Sequence, residues 1–299
     1  MASAITLFVA ARPQFLPVVL LPLVAAIGLA ARHGSEPQTW MVVLLLIGGI
    51  CVQSGANLLN DYYDHLSGVD DNNPDPVPPF AGGSRFIQER RLRPRDIWWT
   101  AWGCLAIAVA IAWILAAVTT WLMLPLLAVG LLSAVAYSAP PLKLDYRGLG
   151  LPVIMLDFGI LPVLCAYRIA GDRWSWDAVL PAAVVGLLAA NILFAAEFPD
   201  RQADAAGGKR TVVVRWGPAT CALLHLGFAL AALGLLGIAV HLDQLPPLAL
   251  LGLLAAIPAA LAFRTLRRRR EPRGYVPGVQ MAILTHLAVT AAITLAVWS

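Results

Sequence analysis

The sequence predicts an all-α integral membrane protein with nine transmembrane helices. Three observations lead there. Of the 299 residues, 60% are hydrophobic and 13% charged, whereas soluble domains carry about 25% charged residues. Mean hydropathy is +0.76, and apolar runs recur along the whole chain. The cations between those runs fall almost entirely on one side.

The runs lie at residues 14–31, 40–61, 97–118, 120–138, 150–170, 178–197, 218–239, 245–263 and 277–298. Each is near the ~17–25 residues that a spanning helix needs. The first resembles a signal peptide, but Arg12-Pro13 stands where a cleavable signal would begin its core, and Pro17 and Pro22 interrupt that core. It is read as a retained helix. The second starts at Trp40 and runs into asparagines and aspartates. The third and fourth are separated only by Thr119 and Thr120. The fifth carries Asp157 about a third of the way in, and the sixth ends in a second acidic stretch. The eighth is followed by four arginines, Arg267 to Arg270, which suit topology and lipid headgroup contact. Cys51, Cys104, Cys165 and Cys221 all lie in apolar runs without a CxxC spacing and read as small buried hydrophobes.

Nine spans place the termini on opposite sides. Eighteen of the 21 lysines and arginines then share one set of alternate segments, and only Arg32, Arg168 and Arg173 fall in the other. By the positive-inside rule the amino terminus is cytoplasmic and the carboxyl terminus outside, in a bacterial-type inner membrane. No soluble domain is inserted, so residues 1–299 read as one transmembrane domain. No nucleic-acid partner is expected.

The cytoplasmic segments also hold most of the acidic residues. In "NLLNDYYDHLSGVDD", residues 57–71, Asn57, Asp61 and Asp64 continue a stripe that begins at Gln53, and Asn60 flanks it. Spacings of four, four and three put these residues on one helix face. A carboxylate inside a membrane helix costs roughly 2.5–3.5 kcal/mol on insertion scales, so such residues line wet cavities or bind cations. In "AAEFPDRQADAAGGKRT", residues 195–211, Glu197, Asp200 and Asp204 again share a helix face, and Pro199 is expected to kink or restart that helix. The following Gly207-Gly208 and Lys209-Arg210 are not a Walker loop, because Ala203 stands where its first glycine is needed. Two carboxylate faces at one membrane level suit magnesium, which typically takes one or two carboxylates plus waters and phosphate oxygens. The implied ligand is a diphosphate held at the mouth of an apolar cavity.

Two further segments supply cations. "AYSAPPLKLDYRGLG", residues 136–150, offers Tyr137, Lys143 and Arg147. Lysine as a point charge and arginine as a fork both suit a diphosphate. "AGGSRFIQERRLRPR", residues 81–95, reads either as a disordered loop with a basic end or as a segment whose glycines let it close over a ligand with Arg85 pointing inward. His65 adjoins the first acidic stripe and reads as a solvated loop histidine.

Together these motifs resemble the UbiA superfamily of intramembrane prenyltransferases, nearest the branch that prenylates 1,4-dihydroxy-2-naphthoate. Arg12-Pro13 with Leu16-Pro17, "NLLNDYYDHLSGVD", "GGSR", "YSAPPLKLDYRGLG" and "DRQADAAGGKRT" carry the resemblance over nearly the whole chain. It implies nine helices around a central cavity with a cytoplasmic cap, and magnesium-dependent transfer of a prenyl chain from a polyprenyl diphosphate to an aromatic acceptor. The metal ligands it implies are Asp61, Asp64, Asp200 and Asp204. The candidate diphosphate contacts are Asn57, Asn60, Arg85, Tyr137, Arg147, Lys209 and Arg210, with Lys143, Asp64 and Asp200 as the catalytic set. Two positions depart from that branch: Leu151 replaces a common Glu, and Asp157 stands where Asn is frequent. Asp157 is either a satisfied polar residue of the bundle or the mark of a different acceptor.

The chemistry implied is ionisation of an allylic diphosphate, with magnesium and fixed cations neutralising the leaving group. The allylic cation then meets an electron-rich ring carbon, and a naphthoate acceptor loses its carboxylate. No histidine dyad or nucleophile is needed. A terpene cyclase of the same superfamily keeps the ionisation and drops the acceptor. A transporter fits less well, because such proteins place their sites near the bilayer midplane, whereas both acidic clusters lie at one face.

Overall fold

The computed structural model describes residues 3–171 and 173–299, and every regular element among them is a helix. A short α1 (Ala4–Ala10) precedes α2 (Leu16–Arg32), α3 (Thr39–Ser67), α4 (Pro94–Val118) and α5 (Met123–Ser138). Two helices, α6 (Gly150–Met155) and α7 (Leu161–Gly171), are joined by a π-helical turn, Leu156–Ile160. Then come α8 (Val179–Ala206), α9 (Val212–His241), α10 (Ala256–Arg268) and α11 (Pro272–Trp298), with a 3-10 segment, Pro247–Ala255, leading into α10.

Among the described residues, eight helical stretches are long and apolar enough to cross a bilayer. They correspond to eight of the nine expected runs. The remaining run, 120–138, forms α5, which has 16 residues. At 1.5 Å per residue it rises ~24 Å, less than the ~30 Å hydrocarbon core. Its lost length lies in the break after Val118. There the Thr119 hydroxyl donates back to the Leu115 carbonyl at 2.6 Å, and the chain turns through Trp121 and Leu122 before the helix resumes.

Two other boundaries differ from expectation. Helix α3 continues to Ser67, so the whole first acidic stripe stays helical. Helix α8 passes through Pro199 instead of restarting there. Proline removes one backbone bond, but its neighbours are fixed from outside. The Phe198 ring packs on Tyr275 with centroids 5.5 Å apart, and Glu197 accepts the Val213 N–H at 3.2 Å.

The largest core cluster joins α2, α7, α8, α9 and α11 through small residues such as Ala30, Ala166, Ala182, Ala232 and Ala296. Small side chains let helix backbones approach closely where water supplies no hydrophobic drive. The closest approach pins the π turn: a Cβ on Gly159 would lie 2.0 Å from the Gly186 Cα. Any side chain there would push α8 away from the turn. Two cavities among the described residues bear on the site. An apolar inner one lies between α2, α3, α4, α5 and α7. A polar chamber sits at the end of the bundle where α3 and α8 finish.

Helices α3 and α9 carry exposed loop residues at their carboxyl ends, Asp71 just beyond α3 and Asp243 just beyond α9. Helix α9 starts beside the chamber and α3 ends there, so these residues belong at opposite membrane faces. Single Asp71→Cys and Asp243→Cys variants in a cysteine-free background should react with an impermeant maleimide from opposite sides. Labelling of both from one side would rule out this arrangement of spans.

Candidate active site

The chamber is built from helix ends and loops. The stripe on α3 delivers Asn60, Asp61 and Asp64, and α8 delivers Asp200 and Asp204. The segments 68–93, 139–149 and 207–211 close around them and contribute Asp70, Asn73, Gly82, Gly83, Asp145 and Lys209.

At its centre Lys209 Nζ lies 2.9 Å from Asp64 Oδ2, 3.0 Å from Asp145 Oδ2 and 4.0 Å from Asp204 Oδ1, all buried. Burial alone would push the ammonium down, but Asp64, Asp145 and Asp204 outweigh it and hold Lys209 charged well above the ordinary lysine range. Asp64 has further partners. It accepts from Asn60 Nδ2 at 2.9 Å and from the Tyr146 hydroxyl at 3.1 Å. Asn60 is itself within 3.1 Å of the Ser138 hydroxyl. Burial, then the nearby Asp64 charge, raises the Tyr146 phenol above its usual range, so it stays a donor.

A second ion pair sets the other wall. Arg12, in the left-handed region at φ 60°, turns the chain between α1 and α2 and aims its guanidinium at Asp61. Asp61 also accepts the Ser84 N–H at 3.2 Å, while its Oδ2 is buried without a partner. Burial opposes the Arg12 charge, but Asp61, Asp70 and Asp64 outweigh it and raise its pKa. Asp200 accepts the Gly82 N–H at 2.8 Å and Asn73 Nδ2 at 3.3 Å. Asp70 is buried beside Gly83, where a Cβ would lie 2.3 Å from its Oδ2. Burial first, then Asp64 and Asp61, push the Asp70 carboxyl up to about 8 against the pull of Lys209 and Arg12. Glu197, by contrast, spends its carboxylate on the first turn of α9, where a negative charge complements the helix dipole.

Of the residues expected from sequence, Asn60, Asp64, Tyr137, Asp200, Asp204 and Lys209 line the chamber. Asp61 reaches it through Arg12. Asn57 instead donates to the Ala11 carbonyl at 3.0 Å, fixing α1 against α3. Arg85 donates to the Asp70 carbonyl. Lys143 is half-buried with its ammonium over the Tyr146 ring at 4.6 Å, and Arg147 and Arg210 are exposed. Arg147 donates to the Pro141 carbonyl, and the Arg210 backbone N–H bonds the Tyr146 carbonyl at 2.9 Å. Thus Lys209, rather than Lys143, is the lysine inside the chamber. Arg12, Asp70, Asn73 and Asp145 were not among the expected site residues. Asp145 had a signal, because it lies within the "LKLDYRG" segment. Asn73 and Asp70 sit in a loop whose composition reads as irregular.

Six carboxyl groups line the chamber, those of Asp64, Asp70, Asp145, Glu197, Asp200 and Asp204, against two cations, Arg12 and Lys209. Among the described residues no three acidic, histidine or cysteine side chains converge closely enough to cage a metal by themselves. That donor set fits an ion shared with a ligand's own oxygens.

Carboxylate-rich helix ends stand over an apolar cavity, so the bundle is polar at one end of this region and hydrocarbon-lined at the other. The sequence profile of the UbiA prenyltransferase family matches residues 19–296, and the chain belongs to that family of prenyltransferase enzymes. It is 30% identical over 268 residues to a 1,4-dihydroxy-2-naphthoate octaprenyltransferase of Mycobacterium tuberculosis, covering 89% of this chain and 88% of that protein. It is 28% identical to the Escherichia coli protein of the same name, covering 96% and 94%. Among solved structures, a UbiA homolog from Archaeoglobus fulgidus bound to GPP and Mg2+ superposes with a TM-score of 0.68 at 17% identity, covering 96% of this chain and 99% of that one. At that identity the likeness is one of fold.

Removing one partner of a buried ion pair costs about 3–5 kcal/mol, because it strands the other charge. Lys209→Ala leaves three carboxylates facing one another. The detergent-solubilised variant should melt well below the parent, and Lys209→Arg should recover part of the loss. Equal melting temperatures for Lys209→Ala and the parent would show that Lys209 does not hold the chamber together.

Proposed function

We propose that this protein transfers a polyprenyl chain from a polyprenyl diphosphate to an aromatic acceptor, a dihydroxynaphthoate as in the named relatives. The observation that carries the reading is the succession of the two cavities along one face of α3. Gln53, in the apolar cavity, and Asp64, in the polar chamber, lie on the same face of α3. A diphosphate at the carboxylate end therefore leaves its hydrocarbon chain directed among the apolar helices. The chamber belongs on the cytoplasmic side, as the cation asymmetry of the loops supports, with the amino terminus inside. A nine-span topology, with α5 as a short span and the chamber loops as a cap, agrees with that asymmetry.

Magnesium suits the donor set. Asp64, Asp200 and Asp204 would hold it with the diphosphate oxygens, and Asp61, with a buried oxygen unpartnered, adds a further donor. When bound it supplies the positive charge that makes diphosphate a good leaving group. The chain's own residues then do the rest. Lys209 and Arg12, locked by carboxylates, present fixed charge that needs no reorganisation as the leaving group develops. Asn60 and Tyr146 hold Asp64 in place. Apolar walls keep water from the allylic cation. Lys143, Arg147 and Arg210 stand outside the chamber and reach a diphosphate only if the segments 139–149 and 207–211 close further.

The purified protein should convert prenyl diphosphates with a dihydroxynaphthoate and magnesium to a prenylated naphthol lacking the carboxylate, read by mass spectrometry. Asp64→Ala and Asp200→Ala should each lower turnover on the order of a hundredfold or more, as should removal of magnesium with chelator. A hydrocarbon or terpene alcohol formed without acceptor would replace this reading with a cyclase. Near-normal rates in either variant would sink the shared diphosphate site.

A further inference from the structure

The inner cavity is lined almost wholly by aliphatic side chains, yet two lining residues carry oxygen, Gln53 on α3 and Asp157 on the π turn. Both are buried. A hydrocarbon chain brings no hydrogen-bond donor to either, and a buried polar atom left unpaired is costly. Their presence calls for a ligand other than the prenyl tail.

Gln53 is 4% exposed, and its side-chain oxygen has no partner in the protein. Asp157 has one side-chain partner, Ser133, whose hydroxyl oxygen lies 2.7 Å from Oδ1 and 2.8 Å from Oδ2. The same hydroxyl is 2.8 Å from the Val129 carbonyl and 3.0 Å from the Gly130 carbonyl. One proton thus faces four acceptor oxygens. Ser133 can satisfy at most part of Asp157, which keeps free acceptor capacity toward the cavity.

The backbone sets this geometry. The close approach of Gly159 to Gly186 holds the π turn against α8, and Asp157 on that turn meets Ser133 of α5. Insertions of this kind in helices recur at functional sites. Gln53 lies two turns below Asp61 on one face of α3, ~12 Å along the axis. A ring whose hydroxyl meets Gln53 therefore lies beneath the chamber, in the interval between that residue and the carboxylates.

We propose that Gln53 and Asp157 form the recognition site for the hydroxyl groups of the aromatic acceptor, so that the inner cavity selects a ring bearing phenolic donors. The inference rests on the transferase reading above. Both protein groups accept hydrogen bonds, so the complementary ligand is a diol in its reduced state. The corresponding quinone, or an ether of the diol, offers acceptors only, leaves the Asp157 and Gln53 oxygens unpaired and is disfavoured. Asp157 and Gln53 are specificity-determining residues here, and Ser133 is a positioning residue for Asp157.

The test uses the full-length protein in lipid nanodiscs, with Asp157→Leu, Asp157→Asn, Gln53→Leu and Ser133→Ala. The acceptor KM and the prenyl diphosphate KM are measured separately, and binding of a fluorescent naphthalenediol and of its dimethyl ether is titrated without turnover. The parent should prefer the diol, and Asp157→Leu should raise the acceptor KM roughly five- to tenfold, as expected for the loss of one hydrogen bond. The prenyl diphosphate KM should stay within about twofold, and the preference for diol over ether should vanish. Asp157→Asn keeps the shape and guards against misfolding; it should retain part of the preference. An unchanged acceptor KM in both Asp157→Leu and Gln53→Leu, or a rise confined to the prenyl diphosphate KM, overturns the proposal. Failure of the parent to form any prenylated product is a separate result and counts against the transferase reading itself; the equilibrium titration of diol against ether still reads the site.

Discussion

The buried Lys209 ties α3, α8 and the loop before α6 together through one ammonium. Its ammonium joins Asp64 from the end of α3, Asp145 from the loop before α6 and Asp204 from the end of α8. Its own backbone N–H bonds the Asp204 carbonyl at 2.8 Å, so the cation is anchored to α8 one turn beyond the helix. Without it the three carboxylates would repel one another in a site that excludes much of the water that would screen them. The same interaction therefore closes the bundle end and concentrates negative charge there. A site that holds an excess of carboxylates together in this way is already prepared for additional positive charge carried in with an anionic ligand.

The second wall repeats the arrangement with different parts. Arg12 from the α1–α2 turn pairs with Asp61 from α3, and backbone N–H groups at Gly82 and Ser84 reach Asp200 and Asp61. The 68–93 segment thus binds α3 and α8 through their carboxylates, and Gly83 gives Asp70 room to enter. Below this level, polarity falls away within two turns of α3, from Asp61 to Gln53. That gradient separates a charged upper level from an apolar lower one, which under the proposed function would hold the diphosphate and shelter the hydrocarbon and ring from water, respectively. Asp157 and Gln53 are the oxygen-bearing exceptions in the lower level.

Much of this was legible in the chain. The apolar runs located eight spanning stretches, because a helix in hydrocarbon must satisfy its backbone internally and so leaves a long apolar record. The α3 stripe and the α8 face were legible because helical period alone puts residues three and four apart on one side. The length of α5 was not, since Thr119 and Thr120 are compatible with either a continuous run or a break, and only packing chose the break. Nor was the passage of α8 through Pro199, because a proline's local penalty says nothing of the contacts that offset it.

The sequence by itself determined the class of protein, eight of the spanning stretches and the two acidic faces, since each follows from local composition and spacing. Only the tertiary structure decided which cation those faces share. Lys143 and Lys209 look alike as loop lysines beside acidic motifs, yet one lies over the Tyr146 ring at half exposure and the other is buried among three carboxylates. Arg12 and Asn73 joined the site in the same way, from 49 and 127 residues away from their partners Asp61 and Asp200, and Asp145 came to Lys209 from a different loop. Charge pairing across a fold depends on distance in space and on the local dielectric, and neither is written in the spacing of residues along a chain.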